Sequence, residues 1–428
     1  MKKILFFTVL ALLSLSLVCC SSAEDEPITD PVPETPDTSA EDEICEYWQK
    51  EANTSTIALV TEFWNKDKKF FNTYAGKPDT AAQDWCYWPQ AHAMDIVIDA
   101  YIRSGNKTWK GYFDAWYEGV KQKSGGSYYN DFVDDMEWIC LTMIRLYEQS
   151  GEKKYINTAQ DLWNVIKSNW NETYSGGGIA WKQSQPASKN ACSNGPAGII
   201  AARMYLLNGK KQSDLDWAKK IYNWQTEKLV NAGSGAVYDH IVNHETGERK
   251  DWFFTYNQGT YMGMAHELYN ITGEKKYLDM AVLAANYCIT NLIDKKNNIL
   301  KDEGARGDGA LFKAVFVRYF VKLVLEEDLS NSQRERYVSF FNNNAEVLNK
   351  QGTSKNYLYN GHWASPGDRS NNDLGAQVSG CAMIEAKALY ERELKAQRDK
   401  KKERFLRRFI WRGCCGALAF FYIYIIYK

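Results

Sequence analysis

The sequence predicts an all-α chain folded as an (α/α)6 barrel of about twelve helices in six hairpins, and three observations carry that expectation. Apolar residues recur at three- and four-residue spacing through the middle of the chain, as in Ile96-Val97-Tyr101 and Leu162-Val165-Ile166, the period of a helix with one buried face. One helix joint repeats: Ser104-Gly105-Asn106-Lys107, Ser150-Gly151-Glu152-Lys153-Lys154-Tyr155, Asn208-Gly209-Lys210-Lys211 and Thr272-Gly273-Glu274-Lys275-Lys276-Tyr277. In each, an apolar helix stops at a glycine suited to a left-handed C-cap, a charged turn follows, and a more amphipathic helix begins. Successive joints lie about 45 to 65 residues apart, room for two helices and a variable loop.

Helices are expected to begin near Cys45, Pro89, Thr108, Val133, Lys154, Gly195, Ser213, Tyr256, Lys276, Asp308, Ser330 and Asn372. Those near Thr108, Lys154, Ser213 and Lys276 follow the glycine joints. Those near Pro89, Val133, Gly195, Tyr256 and Asp308 follow loops rich in glycine and aromatics: Trp85–Trp88, Gly125–Asn130, Trp181–Pro196, Tyr238–Tyr256 and Asp302–Asp308. The second group is the more apolar, as in Ile139–Tyr147 and Ala197–Leu207, and should form the inner ring. Loops gathered on one face of such a scaffold are where function usually sits.

Both ends differ from this middle. Lys2 and Lys3 precede the apolar stretch Ile4–Val18, which is short for a membrane span, so Met1–Cys20 reads as an export signal. Leu17-Val18-Cys19-Cys20 resembles a bacterial lipoprotein cleavage box, with Cys20 the acylated residue, and the acidic Ser21–Glu26 resembles a surface-export signal. The expectation is an outer-membrane lipoprotein on the cell surface or the periplasmic face, held to the membrane by an N-terminal lipid. Residues 21–43, rich in Pro, Thr, Asp and Glu, should be a flexible tether, leaving 44–393 as the folded domain. Residues 394–428 run from strongly basic (Lys395–Arg412) to nearly all apolar (Gly413–Tyr427), too short to cross a membrane, and receive no role.

Composition narrows the function classes. A formal net charge of −1 gives no sign of nucleic-acid steering. Fifteen Trp and 27 Tyr is a heavy load; most fill the core, but flat rings with a polar edge also suit sugars. The ten cysteines form no framework. Cys45, Cys86, Cys140, Cys192, Cys288 and Cys381 are scattered singly, and free buried thiols are the simpler reading, with a disulfide or two left open for an exported chain. His240 and His244 are too loosely arranged for a metal site, and neither metal nor cofactor is expected.

The sharpest chemical feature is Tyr128-Tyr129-Asn130-Asp131-Phe132-Val133-Asp134-Asp135-Met136-Glu137-Trp138, which enters an inner helix from the loop face. Glycoside hydrolysis needs two carboxyl groups beside the scissile bond. Asp134 and Asp135 at a helix start supply two, with the helix dipole favouring an ionised one. By itself Asp-Asp at such a position is more often a cap.

A set of stretches in order changes that balance. They are Tyr87–Asp95, Tyr129–Trp138, Gly176–Lys182, Lys189–Ala197, Thr255–Gly259 and Asp308–Lys313 leading to Arg318-Tyr319. Together, over about Cys45 to Glu393, they resemble glycoside hydrolase family 76, the endo-α-1,6-mannanases. The resemblance implies an (α/α)6 barrel, cleavage of α-1,6-mannan, Asp134 as nucleophile and Asp135 as general acid/base of a retaining mechanism. It makes Trp88, Tyr128 and Trp181 candidates for stacking on mannose. Asn194, Asp239, Asn257 and Asp308 become candidates for reading hydroxyls, and His92 and Lys313 for either that or orienting the aspartates. Simpler roles stand beside these: His92 satisfying a loop carbonyl, Asn194 and Asn257 capping helices. Competing functions are a transglycosylase on the same scaffold and a non-catalytic glycan-binding lipoprotein. The expected partner is mannan or a manno-oligosaccharide, with no nucleic acid, and the protein is expected to be a monomer.

Overall fold

A computed structural model describes residues 39–79, 87–370 and 372–411. The lipidation candidate Cys20, the signal, the tether up to residue 38, Trp85, Cys86 and the apolar end Gly413–Tyr427 lie outside the described residues. The chain divides into two units, Met1–Ala40 and Glu41–Lys428, and nearly all described residues belong to the second.

Twelve α-helices carry the described fold. Six form the outer layer: α1 (Ser39–Phe63), α3 (Lys107–Lys123), α5 (Lys153–Ser168), α7 (Gln212–Leu229), α9 (Lys275–Asn291) and α11 (Asn331–Val347). Six form the inner ring: α2 (Tyr87–Ser104), α4 (Val133–Ser150), α6 (Gly195–Leu207), α8 (Thr255–Thr272), α10 (Asp308–Val324) and α12 (Leu374–Trp411). Around the ring α2 packs on α4, α4 on α6, α6 on α8, α8 on α10, α10 on α12, and α12 closes on α2. This is the expected (α/α)6 barrel.

The local reasons match the sequence. Gly151 and Gly273 cap α4 and α8 with φ of 73° and 68°, a left-handed conformation that a residue with a Cβ adopts at a cost. Inner helices are apolar nearly all round; α6 buries Gly195 through Ala202 without a break. Outer helices bury one stripe, as α5 does with Tyr155, Ala159, Leu162, Trp163 and Ile166.

One feature was not expected. Four two-stranded antiparallel hairpins sit in connections that run from an outer to an inner helix: β1 (Trp64–Asn65) with β2 (Phe70–Phe71), β3 (Ala180–Lys182) with β4 (Gln185–Lys189), β5 (Ile241–Asn243) with β6 (Glu248–Arg249), and β7 (Ile293–Asp294) with β8 (Ile299–Leu300). Strands this short carry no readable alternation, so sequence periodicity could not show them. They stiffen the loop face where the inner helices begin.

The five described cysteines of the folded region, Cys45, Cys140, Cys192, Cys288 and Cys381, are free and buried. Among the described residues no helix is long and apolar enough to cross a membrane.

Candidate active site

Asp134 and Asp135 lie in the first turn of α4, where backbone N–H groups lack helical partners. Phe132 occupies the cap position with no side-chain cap bond, so those donors remain for other acceptors. One is used at once: the Asp135 N–H donates to Asp134 Oδ1 at 3.1 Å. The turn is anchored from outside by a β-bridge between Phe132 and Lys182 and by Gln183 N–H donating to the Asp131 carbonyl at 2.8 Å. These ties bring β3 over the start of α4, and the Trp181 indole N–H donates to Asp134 Oδ2 at 3.2 Å.

The two carboxyls therefore live in different surroundings. Both are half-buried at the base of the loop face. Burial pushes Asp134 up to about 6, while the Cys192 thiol, the Asp135 N–H and the Trp181 indole pull it back toward the ionised form. Asp135 is pushed well above the usual carboxylate range, first by burial, then by the charges of Asp134 and Asp308. Its counterweight is Asn130, whose Nδ2 donates to Asp135 Oδ2 at 2.9 Å. The pair thus sorts itself: Asp134 gives up its proton first and Asp135 keeps one.

The other candidates fall into two groups. Trp88 is half-buried at the start of α2, and its indole N–H donates to Asp308 Oδ1 at 2.8 Å. Asp308 is exposed in the first turn of α10, so the bond ties the starts of α2 and α10 across the position of α12, and the Asp308 charge reaches Asp135. Asp239 is buried, accepting from Asn257 Nδ2 at 3.0 Å and pairing with His240 Nδ1 at 2.8 Å. Its charge acts on Cys192 and Tyr256, on which the charge of Asp134 also acts, so Asp239 belongs to the same neighbourhood. Trp181 is here too, and its N–H is spent on the nucleophile candidate while its half-buried ring meets Phe132 edge-on.

Four residues are placed otherwise than the resemblance suggested. Tyr128 is buried, its hydroxyl donating to the Tyr117 carbonyl and its carbonyl accepting from the Tyr87 hydroxyl at 2.8 Å, so it has no free face for a sugar. In an extended segment side chains alternate, and its neighbour Tyr129 takes the exposed side. Asn194 is fully buried: its amide accepts from Ile179 N–H at 2.9 Å and donates to the Ile179 and Asn190 carbonyls. It clamps β3 to α6, and it makes no side-chain cap bond. Lys313 is fully buried, donating to the Gly361 carbonyl and lying 4.9 Å from the Trp363 ring centroid. Burial holds it down to about 8, and it touches neither aspartate. His92 is buried between Trp88 and Trp138. Burial chiefly pulls it down to about 4, so it is neutral at pH 7, and its Nε2 has no hydrogen-bond partner.

Sequence reading missed several neighbours. Asn130 was within reach, since an Asn shortly before an Asp-Asp helix start is a plain local signal. Cys192, Tyr256 and Phe312 come from distant elements; each lies in a stretch that carries the family resemblance, but nothing local marks it as a neighbour of the aspartates. Glu137, one helical turn below Asp134, is fully buried with neither carboxyl oxygen partnered, and burial followed by the Asp134 charge pushes it well above its usual range.

A cavity of about 400 Å³ opens at the opposite mouth of the barrel, where the inner helices end. Its charges are matched within the protein: Arg145 with Asp95 at 2.7 Å, Arg318 with Asp99 at 3.0 Å, Arg103 with Glu385 at 2.9 Å. It is a cavity lined by ion pairs and not the place of the paired carboxyls.

A ring of inner helices with two adjacent carboxyls at one helix start, held in different surroundings, is the arrangement a glycoside hydrolase of the (α/α)6 class requires. The sequence profile of glycosyl hydrolase family 76 matches residues 47–399, and the chain belongs to that family. The GH76A α-1,6-mannanase of Salegentibacter sp. HEL1_6 is 37% identical, with a TM-score of 0.75 over 80% of this chain and 99% of that one. An inactive variant of that enzyme, with two adjacent aspartates replaced by alanine, has been solved with α-1,6-mannotetrose. The mannan endo-1,6-alpha-mannosidase DCW1 of Saccharomyces cerevisiae is 26% identical over 350 residues, 74% of this chain and 75% of its own. DCW1 of Candida glabrata is 27% identical over 306 residues, 63% of this chain; the match spans 65% of the relative's length.

Proposed function

We propose that this enzyme cleaves α-1,6-mannosidic bonds within mannan chains, through a covalent glycosyl-enzyme intermediate on Asp134. The carrying observation is the asymmetry of the pair. Asp134 is supplied with hydrogen-bond donors that favour its charge, the Cys192 thiol first among them, and Asp135 faces two negative neighbours that favour its proton. In the first step an Asp134 oxygen attacks the anomeric carbon as the bond to the leaving oxygen breaks, and Asp135 protonates that oxygen. In the second, Asp135 takes a proton from water, which displaces Asp134 and restores the original anomeric configuration. The substrate class is supported by the mannanase relatives, and the endo mode by the same kinship. Trp88 and Trp181 serve as sugar-facing rings that also hold Asp308 and Asp134.

The test is digestion of unbranched α-1,6-mannan, followed by proton NMR of the first-formed reducing ends. Short oligosaccharides with the α anomer formed first are expected, and first-formed β anomer would overturn the retaining mechanism. Asp134→Asn and Asp135→Asn should each cut kcat by about a thousandfold or more, as removal of a catalytic group does. Substantial activity in either variant would mean the wrong carboxylates are named.

We propose further that the protein acts as a monomer, supported by a site drawn from one ring of helices, and as a lipoprotein exported and anchored through Cys20, supported by the Met1–Glu26 pattern. Cys20→Ala should move the protein from the membrane fraction to the soluble fraction; continued fractionation with membranes would refute that anchor.

A further inference from the structure

Trp252 stands in the segment between β6 and α8 with half of its surface exposed (50%). A single exposed ring is ordinary. This one ends a row of aromatics that leads to the carboxyl pair. Its centroid is 6.3 Å from Phe254, Phe254 is 5.2 Å from Phe312, and Phe312 is 6.3 Å from Trp88, the ring bonded to Asp308. The row thus joins the exposed edge of the loop face to the place of bond cleavage.

Polar groups gather at the outer end. His240 meets Trp252 edge-on at 5.9 Å. Its Nδ1 is taken by Asp239 at 2.8 Å, and its Nε2 has no hydrogen-bond partner among the described residues. The Lys250 ammonium lies over the Trp252 ring, 4.8 Å from its centroid, so it covers one face of the indole. A half-exposed indole with an ammonium over one face and an imidazole nitrogen at its edge matches a pyranose ring, which offers a CH face for stacking on the other face and hydroxyls at its rim. Phosphate or another anion would need several cations converging on it, whereas here Lys250 lies over the indole, Arg249 lies over Tyr238 and His240 is held by a carboxylate.

We infer that Trp252, His240 and Lys250 form a distal subsite that stacks a mannosyl residue of the same chain, beyond the residues flanking the cleaved bond. This rests on the mannan reading above. The subsite makes long chains better substrates than short ones, because its binding energy is available only to a chain that reaches it.

Two measurements on the full-length protein decide the point. First, Trp252→Ala and His240→Ala are compared with the parent on α-1,6-manno-oligosaccharides of increasing length and on polymer. The ratio of kcat/KM for polymer to that for the shortest cleaved oligosaccharide should fall by about tenfold for Trp252→Ala, the equivalent of ~1.4 kcal/mol of lost contact, and by less for His240→Ala. Second, binding of mannotetraose and mannobiose is measured by calorimetry in an Asp134→Asn/Asp135→Asn background, with and without Trp252→Ala. Tetraose binding should weaken and biose binding should not. Equal weakening at every length, or none, overturns the subsite while leaving the mannanase intact. Length-dependent loss of binding in a parent that cleaves no mannan would keep the subsite and overturn the activity.

Discussion

Asp134 and Asp135 carry the same side chain on neighbouring residues, and their roles are separated only by what touches them. The Trp181 N–H on Asp134 Oδ2 is one of the contacts that keep the proposed nucleophile acidic enough to work. Trp181→Phe removes that donor while keeping an aromatic face. The pKa of Asp134 should then rise above about 6, so the acid limb of the kcat/KM profile moves to higher pH. An unmoved limb would assign Trp181 to sugar stacking alone. The same raised values bear on stability. Folding lifts Asp134 from the ordinary 3.8 to about 6 and Asp135 higher, so the folded state holds protons more tightly than the unfolded one. Stability contributed by the neutral forms is present at low pH and is lost as pH rises through those values. Asp135→Asn, which cannot ionise, should therefore raise the thermal midpoint at pH 8 relative to the parent while abolishing turnover.

At the scale of elements, glycine does two different jobs. Gly151 ends α4 with a positive φ and open space around its missing Cβ. Gly151→Ala should cost about 1 kcal/mol, the price of a left-handed alanine, and leave activity unchanged. Gly178 also has a positive φ, but a Cβ there would stand 2.4 Å from the Trp224 ring. It precedes β3, the strand that carries Trp181 to Asp134, and its carbonyl accepts from Lys189 Nζ at 2.5 Å. Gly178→Ala should therefore lower kcat as well as the thermal midpoint. Comparing the two variants by calorimetry and turnover separates the cost of a cap from the displacement of a strand that serves the site.

Over the whole molecule the inner helices hold two unlike mouths. The mouth where they begin carries the carboxyl pair and the aromatic row, and the mouth where they end holds a cavity lined by paired charges. Arg145 holds both Asp95 and Asp99, and Arg318 holds them from α10. Arg145→Met would leave a buried carboxylate short of its partner, with a loss of about 3 kcal/mol or more in denaturant unfolding. Surviving molecules should give the same products, since the far mouth contributes nothing to bond cleavage. A changed product pattern would mean that the two mouths are coupled.

The sequence by itself determined the architecture, because helix period and C-cap glycine are local properties. The starts expected near Val133, Gly195 and Asp308 coincide with those of α4, α6 and α10. Where a long-range contact intervened, the reading slipped: α1 begins at Ser39, ahead of the expected Cys45, in a stretch where Glu41 and Asp42 pair with Arg398 and Lys395 of α12. The aspartate pair was legible as a chemical motif at a helix start. Tertiary structure alone decided which carboxyl holds its proton, because the deciding groups, Trp181, Cys192 and Asp308, arrive from β3, the turn before α6 and the start of α10. It alone turned Tyr128 inward and Tyr129 outward, and it alone spent Asn194 and Lys313 on buried carbonyls. Residue type sets what chemistry a side chain can do, and burial with its partners sets whether it is free to do it.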